Sequence, residues 1–482
     1  MGIYLGIDFG TSTLCVTRWK ENNNQVEMVP PLVSTGYGKS GPIENVIFYD
    51  SVEEHLIGAP AIKKMELDPH QFVSAIKREI EGNGWQRTIF NQLKTAIDVA
   101  ADIFSYIRER VENMYGGNEI DGVVVSVPFA FGHRERQKIK QAAQLARLPV
   151  LALIEEPVAA ALSCGIFENK EIHDGEKVLV FDFGGGTLDI TIFEKKFESD
   201  GTVCIEVITT DGHKKLGGKD IDQRIIDKLI SLLKIDLSTK PADKRLDNFR
   251  NKIRHEAEEL KKALTYEEEY PLFFEDEWGG VYDEYIERDS FNEWIEPDLL
   301  VKIRDKLEDT LDDIELEVED IMHVVLVGGS SRITAVQDLL TEFFDKKPIM
   351  PQNMEELVGL GAGMYCGMLV SGKSPFRVIQ KVSHSTGINE GGRMKAILPR
   401  NSNYGKWSED FYSINKPSVA VYQGNSSLLK NCSQIGTIDV ASYIPDVIED
   451  AALKLGTNET GAILFRIYQD GELVVEDEVR ED

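Results

Sequence analysis

One short phrase occurs twice in this chain, as Ile7 to Thr13 (IDFGTST) and as Phe181 to Asp189 (FDFGGGTLD), each time between apolar runs of strand length. The first copy follows Ile3 to Ile7 (IYLGI) and precedes Leu14 to Thr17 (LCVT); the second lies between Val178 to Phe181 (VLVF) and Ile190 to Phe193 (ITIF). A strand, an acidic residue, a glycine-rich turn and a second strand read as a hairpin. Two hairpins of one design predict two related half-domains that face each other. Glycines let backbone N–H groups approach an anion closely, and the hydroxyls of Thr11, Ser12, Thr13 and Thr187 add donors, so both turns suit phosphate groups. Asp8 and Asp182, one per copy, suit a hydrated Mg²⁺, an ion that keeps most of its waters and takes few carboxylates. The expectation is a two-lobed nucleotide binder.

With 482 residues the chain exceeds a single core; domains of roughly 100 to 200 residues predict three or four folding units. A net charge of -29 argues against nucleic acid and anionic membrane surfaces as partners. The acidic runs at Glu267 to Glu269, Glu275 to Glu277 and Glu476 to Glu478 read as solvated loops. Cys15, Cys164, Cys204, Cys366 and Cys432 are scattered and form no CxxC pair, which disfavours a disulfide framework or a zinc site. No stretch is apolar enough to span a bilayer, and the N-terminus enters a strand at once. A cytoplasmic protein without a membrane partner is expected.

Between the hairpins, Asp121 to Pro128 (DGVVVSVP) reads as a buried strand and Arg134 to Leu148 as an amphipathic helix. The segment Thr35 to Tyr115 interrupts this α/β pattern as an inserted subdomain, with Thr88 to Met114 helix-like. After the second hairpin come a strand at Val203 to Thr209, the pair Gly217-Gly218 and a long helical region from Ile221 to Leu264. A strand at Val324 to Val327 then enters Gly328-Gly329-Ser330-Ser331-Arg332, with a helix from Thr334, predicting a third nucleotide contact point. From about Ser371 the texture becomes β-rich, with Ser418 to Tyr422 (SVAVY), Ile463 to Tyr468 (ILFRIY) and an Asp470-Gly471 turn into Glu472 to Val475. Gly367 to Ser374 (GMLVSGKS) matches the P-loop pattern, but that motif works only between a strand and a helix. Leu357 to Leu369 before it is helix-like and Pro375 follows it, so it reads as a decoy.

The phrases GIDFGTST, VVVSVPFAF, EEPVAAALSCG, VFDFGGGTLDITIF, LGGKDID and VLVGGSSRI stand, in this order, between residue 3 and about residue 370. Their order resembles the Hsp70 (DnaK-type) chaperones, which share the actin and sugar-kinase ATPase fold. The resemblance implies an α/β protein with a two-lobed actin-like (ribonuclease H-like) ATPase domain over 1–370, its lobes about 1–176 and 177–370. A linker over 371–380 and a small β-sandwich peptide-binding-like domain over 381–482 would follow. The implied cofactors are ATP or ADP with Mg²⁺, and the implied partners are unfolded or extended polypeptides, a J-domain protein and a nucleotide exchange factor. By position, Gly10, Thr11, Ser12 and Thr13 would clamp phosphates from one lobe and Gly184, Gly185, Gly186, Thr187, Gly217 and Gly218 from the other. Asp8, Asp182 and Glu156 would surround the waters of Mg²⁺. Lys77 would position the attacking water, with Thr187 and Asp189 nearby. The nucleoside would lie among Glu258, Lys261, Lys262 and Thr265, with Gly328, Gly329, Ser330, Arg332 and Glu355 across from them. In the tail, Ile388, Tyr412, Val419 and Ile463 are candidate pocket residues for an extended apolar peptide, or alternatively plain sandwich core.

The chain departs from the family pattern at four places. Lys214 replaces a threonine two positions before Leu-Gly-Gly. Lys262 replaces an arginine that stacks on adenine, and an ammonium stacks less well than a planar guanidinium, so weaker ATP binding is expected. Ala152 and Glu155 replace the arginine and asparagine before Glu-Pro, which argues against docking an ordinary J protein. The linker offers Phe376, Val378 and Ile379 in place of an acid and a leucine run, and the chain stops at Asp482 without an α-helical lid, so fast client exchange is expected. Two other functions stay open: a nucleotide-binding scaffold or co-chaperone with little hydrolysis, and a sugar kinase of the same superfamily.

Overall fold

The computed structural model describes residues 2–30, 41–52, 54–65, 67–82, 84–165, 172–199, 202–372, 376–444, 451–458 and 461–480. Two sheets form the larger part. In the first the strand order is Val150–Glu155, Gly122–Val127, Tyr4–Phe9, Thr13–Lys20 and Gln25–Met28, with Ile43–Glu44 also paired to Thr13–Lys20. In the second it is Ile321–Val327, Lys177–Phe183, Leu188–Phe197, Val203–His213 and Phe376–Ile379. Each repeated phrase is thus a hairpin whose first strand has a parallel neighbour on its other side. Registers match as well: Asp8 stands opposite Cys15, and Asp182 opposite Asp189. Gly122–Val127 is buried at every position, as expected of a parallel strand covered on both faces.

Helices Glu156–Ser163 and Leu357–Ser371 lie where the two sheets meet, and share one apolar cluster with Val124, Val180 and Val325. The second helix is apolar all round, the pattern of a fully enclosed helix. Its backbone lies so close to the first that a Cβ at Gly361 would stand 1.7 Å from the Ala159 carbonyl oxygen. The P-loop-like phrase begins inside this helix, where no strand can feed a phosphate loop; its Lys373 and Ser374 lie outside the described residues.

Two helical expectations are corrected. Thr88 to Met114 is not one helix: Gln86–Ile89 and Gln92–Thr95 pair as a hairpin, and the helix begins at Ala96. Phe90 and Asn91 both take positive φ (47° and 61°), the geometry of a two-residue hairpin turn, and Thr95 with Asp98 forms a capping box. Ile221 to Leu264 is two helices, Gly218–Leu232 and Lys244–Leu264. The break follows from left-handed Lys234 (φ 55°) and from the Asp243 carboxylate, which accepts from the Arg245 N–H and starts the second helix.

The β-rich tail is two four-stranded antiparallel sheets. Their orders are Arg393–Leu398, Thr386–Glu390, Ser418–Gln423, Ser433–Asp439 and Tyr412–Ile414, Ala451–Thr457, Ile463–Gln469, Glu472–Glu478. They enclose Val421, Leu453, Leu455 and Ile467. Phe376–Ile379, just before this module, runs parallel to Val203–Glu206 as the outermost strand of the second large sheet.

Candidate nucleotide cleft and its contact with the β module

The two repeated turns meet across a cleft. A Cβ at Gly185 would lie 2.3 Å from Ser12 Oγ, and one at Gly186 the same distance from Thr11 Oγ1, so only glycines permit this approach. The first turn is braced by Asn45, whose side-chain amide donates to the Gly10 carbonyl (2.6 Å) and whose N–H donates to the Ser12 carbonyl (2.8 Å). The second is braced by the Gly218 and Lys219 N–H groups, which donate to the carbonyls of Gly184 and Gly185. Gly217 packs directly on Gly186.

Behind the turns four carboxylates converge on one ammonium. Asp8, Glu156, Asp182 and Asp189 are all buried, and the buried Lys77 Nζ donates to Glu156 Oε1. Ala75, at the N-terminus of the short helix Ile76–Glu81, adopts a left-handed conformation (φ 54°, ψ 32°), a strained entry that leaves Lys77 facing inward. Burial and Glu156 push the Asp8 carboxyl up to about 6, against Lys77 and the Ser126 hydroxyl, which donates to Asp8 Oδ1 at 2.7 Å. Burial and Glu156 raise Asp189 to about 8, and burial with the neighbouring carboxylates holds Asp182 well above the usual carboxyl range. The Lys77 ammonium is held above its usual range: burial opposes this, and Glu156 and Asp8 overcome it. Asp182 Oδ2 is buried without a hydrogen-bond partner, whereas Thr187 donates to the Asp189 carboxyl. An orphaned carboxyl oxygen of this kind fits a hydrated cation or ordered water. Among the described residues no three His, Cys, Asp or Glu side chains are grouped so as to hold a metal ion directly.

A cavity of about 80 Å³ joins Asp8, Lys77, Glu156, Asp182, Thr187 and the two glycine turns to Gly328, Gly329 and Glu355. Next to it opens a larger recess of about 450 Å³ lined by Ser12, Thr13, Glu258, Lys261, Lys262, Thr265, Tyr266, Ser330, Arg332 and Glu355. Lys261 is tied to Asp222 (2.6 Å), Arg332 to Glu355 (3.2 Å), and the Ser330 hydroxyl to the Gly184 carbonyl (2.9 Å). All the residues read from the sequence as nucleotide contacts therefore line these two recesses, which share Ser12, Thr13, Gly185, Gly329 and Glu355, or brace their walls. Sequence reasoning passed over Arg78, which spans the lobes by donating to the Gly186 carbonyl (2.7 Å) and to Asp220 (2.6 Å). Its adjacency to Lys77 was the available signal; Asn45, Ser126 and Tyr266 carried none.

The β module rests against this apparatus. Glu155, immediately before Glu156, is fully buried, and its Oε1 accepts from Arg136 Nη2 (2.9 Å) and from the Tyr404 hydroxyl (2.7 Å) of the β module. Around this triad the His133 N–H donates to Gln423 Oε1 (2.7 Å) and Arg400 Nη2 donates to the Thr210 carbonyl (2.9 Å). Lys381 pairs with Glu206 at 3.1 Å. Burial, with Lys140 and Arg136, lowers His133 to about 4; burial, with Lys214, Arg400 and Arg136, lowers His384 to about 3. Of the candidate peptide residues, Ile388, Tyr412 and Val419 line one recess of about 530 Å³. Ile463 does not join them: it is buried in the sandwich core and borders a small void shared with Phe131, His133, Arg136 and Tyr404.

Two sheets built around a repeated phosphate-turn hairpin, closing over one cleft with helices between them, define an actin-like ATP-binding protein. The family model described as "Hsp70 protein" matches residues 81–461. The chain belongs to the Hsp70 family. It is 31% identical over 456 residues to the "Chaperone protein DnaK" of Ureaplasma urealyticum, covering 92% of this chain and 72% of that protein. It is 32% identical over 457 residues to the proteins of that name from Thermotoga petrophila and Thermotoga maritima, covering 92% of this chain and 74% of each. Among the described residues no helix is long and apolar enough to cross a membrane.

Proposed function

We propose that this chain is a chaperone that binds and hydrolyses ATP with Mg²⁺ and couples the nucleotide state to the capture and release of an extended polypeptide by its β module. One adjacency carries the reading. Glu156 holds Lys77 in the cleft, and Glu155, the next residue back along the chain, is held by Tyr404 of the β module. Any shift of Glu156 when nucleotide enters or leaves moves Glu155 and disturbs its bonds to Arg136 and Tyr404. Coupling requires that peptide affinity differ between the two arrangements, and the docked arrangement is the one with the triad intact.

Within the cleft, the Gly10 to Thr13 and Gly184 to Thr187 turns orient the phosphates. Asp8, Glu156 and Asp182 would hold Mg²⁺ through its waters, and the ion would supply charge neutralisation at the phosphates. Lys77 and Asp189 align the attacking water, and Thr187 donates toward the phosphate oxygens. Phosphoryl transfer asks mainly for such positioning and charge stabilisation. In the β module the recess of Ile388, Tyr412 and Val419 takes side chains of a peptide whose main chain lies along a strand. The client, and whether J proteins or exchange factors serve it, follow from this reading as partners to be sought.

The test follows the anisotropy of a labelled extended apolar peptide with and without Mg-ATP, in wild type and Lys77→Ala. Faster release with ATP, together with multiple-turnover hydrolysis that Lys77→Ala abolishes, is expected. A peptide that binds but ignores ATP would point to a nucleotide-binding scaffold, and phosphate transfer to a sugar would contradict the chaperone reading outright.

A further inference from the structure

The recess beside the phosphate turns holds one large aromatic ring, that of Tyr266. It stands just beyond Thr265 at the end of helix Lys244–Leu264, where the N–H groups of Tyr266 and Glu267 both donate to the Ala263 carbonyl (2.9 and 2.8 Å) and pin the turn. The ring is 67% exposed, the most exposed of the chain's large apolar side chains among the described residues, although it lines a built recess. Lys262, the position that the sequence suggested for contact with the base, also lines this recess. Its ammonium pairs with Glu258 (3.1 Å) and Glu259 (3.2 Å) on its own helix and points no flat face anywhere. The other planar group of the recess is the Arg332 guanidinium, steadied by Glu355 and by the Gln352 carbonyl.

Resting on the reading of this cleft as an ATP site, we infer that Tyr266 is the base-stacking residue: its ring supplies the aromatic platform for the purine, in the recess that also holds Arg332. An exposed ring lining a recess has apolar faces that a second flat apolar group covers well. A purine offers such a face while its edges stay with polar partners. Tyr266 is a positioning and affinity residue, remote from the reacting phosphate, so it sets KM rather than kcat.

The experiment compares calorimetric binding of Mg-ADP and of inorganic tripolyphosphate with Mg²⁺ to full-length wild type, Tyr266→Ser and Tyr266→Phe, with steady-state hydrolysis alongside. Loss of one aromatic–base stack weakens binding by about 5-fold to about 150-fold. The expected result is a loss of ADP affinity of about tenfold or more in Tyr266→Ser, retention within about twofold in Tyr266→Phe, unchanged tripolyphosphate binding, and a raised KM at constant kcat. ADP binding by Tyr266→Ser equal to that of wild type would overturn the inference. So would an equal loss for tripolyphosphate, which would mark a structural role. Wild type that binds no ADP would overturn the ATP reading itself, and the inference with it.

Discussion

Replacing Lys77 by methionine removes the cation from the centre of the acidic cluster while nearly keeping its volume. Lys77 is 3% exposed and donates to Glu156, with Asp8, Asp182 and Asp189 buried around it. Breaking a buried pair by deleting one partner costs about 3–5 kcal/mol, because the remaining charge is left uncompensated in a medium that solvates it poorly. For a cooperative unit of roughly 370 residues, an unfolding entropy of about 2.1 cal/mol/K per residue gives about 0.8 kcal/mol/K, so the melting temperature should fall by about 4–6 °C. Differential scanning calorimetry of both proteins in chelator and without nucleotide measures this directly. Steady-state phosphate release should fall to background in the same variant, and Lys77→Arg, which keeps the charge on a bulkier head, should recover stability more than turnover. A Lys77→Met protein that melts with wild type would refute the reasoning, since it would mean that the carboxylates around Lys77 do not depend on its charge.

Three further outcomes are expected. Tyr404→Phe deletes a 2.7 Å hydrogen bond to a buried carboxylate, worth about 1.5–3 kcal/mol for a charged acceptor; amide exchange in Phe376–Ile379 should quicken as docking loosens, and unchanged protection there would count against the triad as a latch. His133 and His384 are held well below their free value in the docked state, so docking is stable above about pH 6.5 and is opposed below it. Each group opposes it by up to about 1.4 kcal/mol per pH unit; the radius of gyration should rise between pH 7.5 and pH 5.5, and a constant value would dismiss both histidines. Gly186→Ala sets a Cβ about 2.3 Å from Thr11 Oγ1, which forces the lobes apart; ADP affinity should drop by at least about tenfold, and wild-type affinity would show that the lobes close less tightly than described.

Much of the cleft could be read before the fold was known, because phosphate turns must be local. Asp8 with Gly10 to Thr13, and Asp182 with Gly184 to Thr187, are contiguous, and a hairpin between apolar runs leaves the turn little freedom. Strand limits erred by a few residues, as at Val203–His213, where polar residues continue a buried strand past its apolar run. Helix Ala96–Met114 was misjudged at its start because Phe90 and Asn91 turn through positive φ without a glycine to announce it. Lys262 was assigned to the nucleoside by resemblance and does line the recess, while Glu258 and Glu259, four and three residues before it on the same helix, were local signals that it would also be ion-paired.

Local sequence was enough for the two hairpins, the glycine- and hydroxyl-rich make-up of their turns, the acidic residues beside them and the β-rich character of the tail. All of these depend on residues within a few positions of one another. Long-range packing is what brings Lys77 into the acidic cluster, lets Arg78 bridge the lobes, sets Ile463 apart from the other candidate pocket residues, and joins Glu155 to Tyr404 across 249 positions of chain. Those meetings depend on how whole sheets and helices pack, and the free energy that selects them is summed over the entire core rather than written in any one segment.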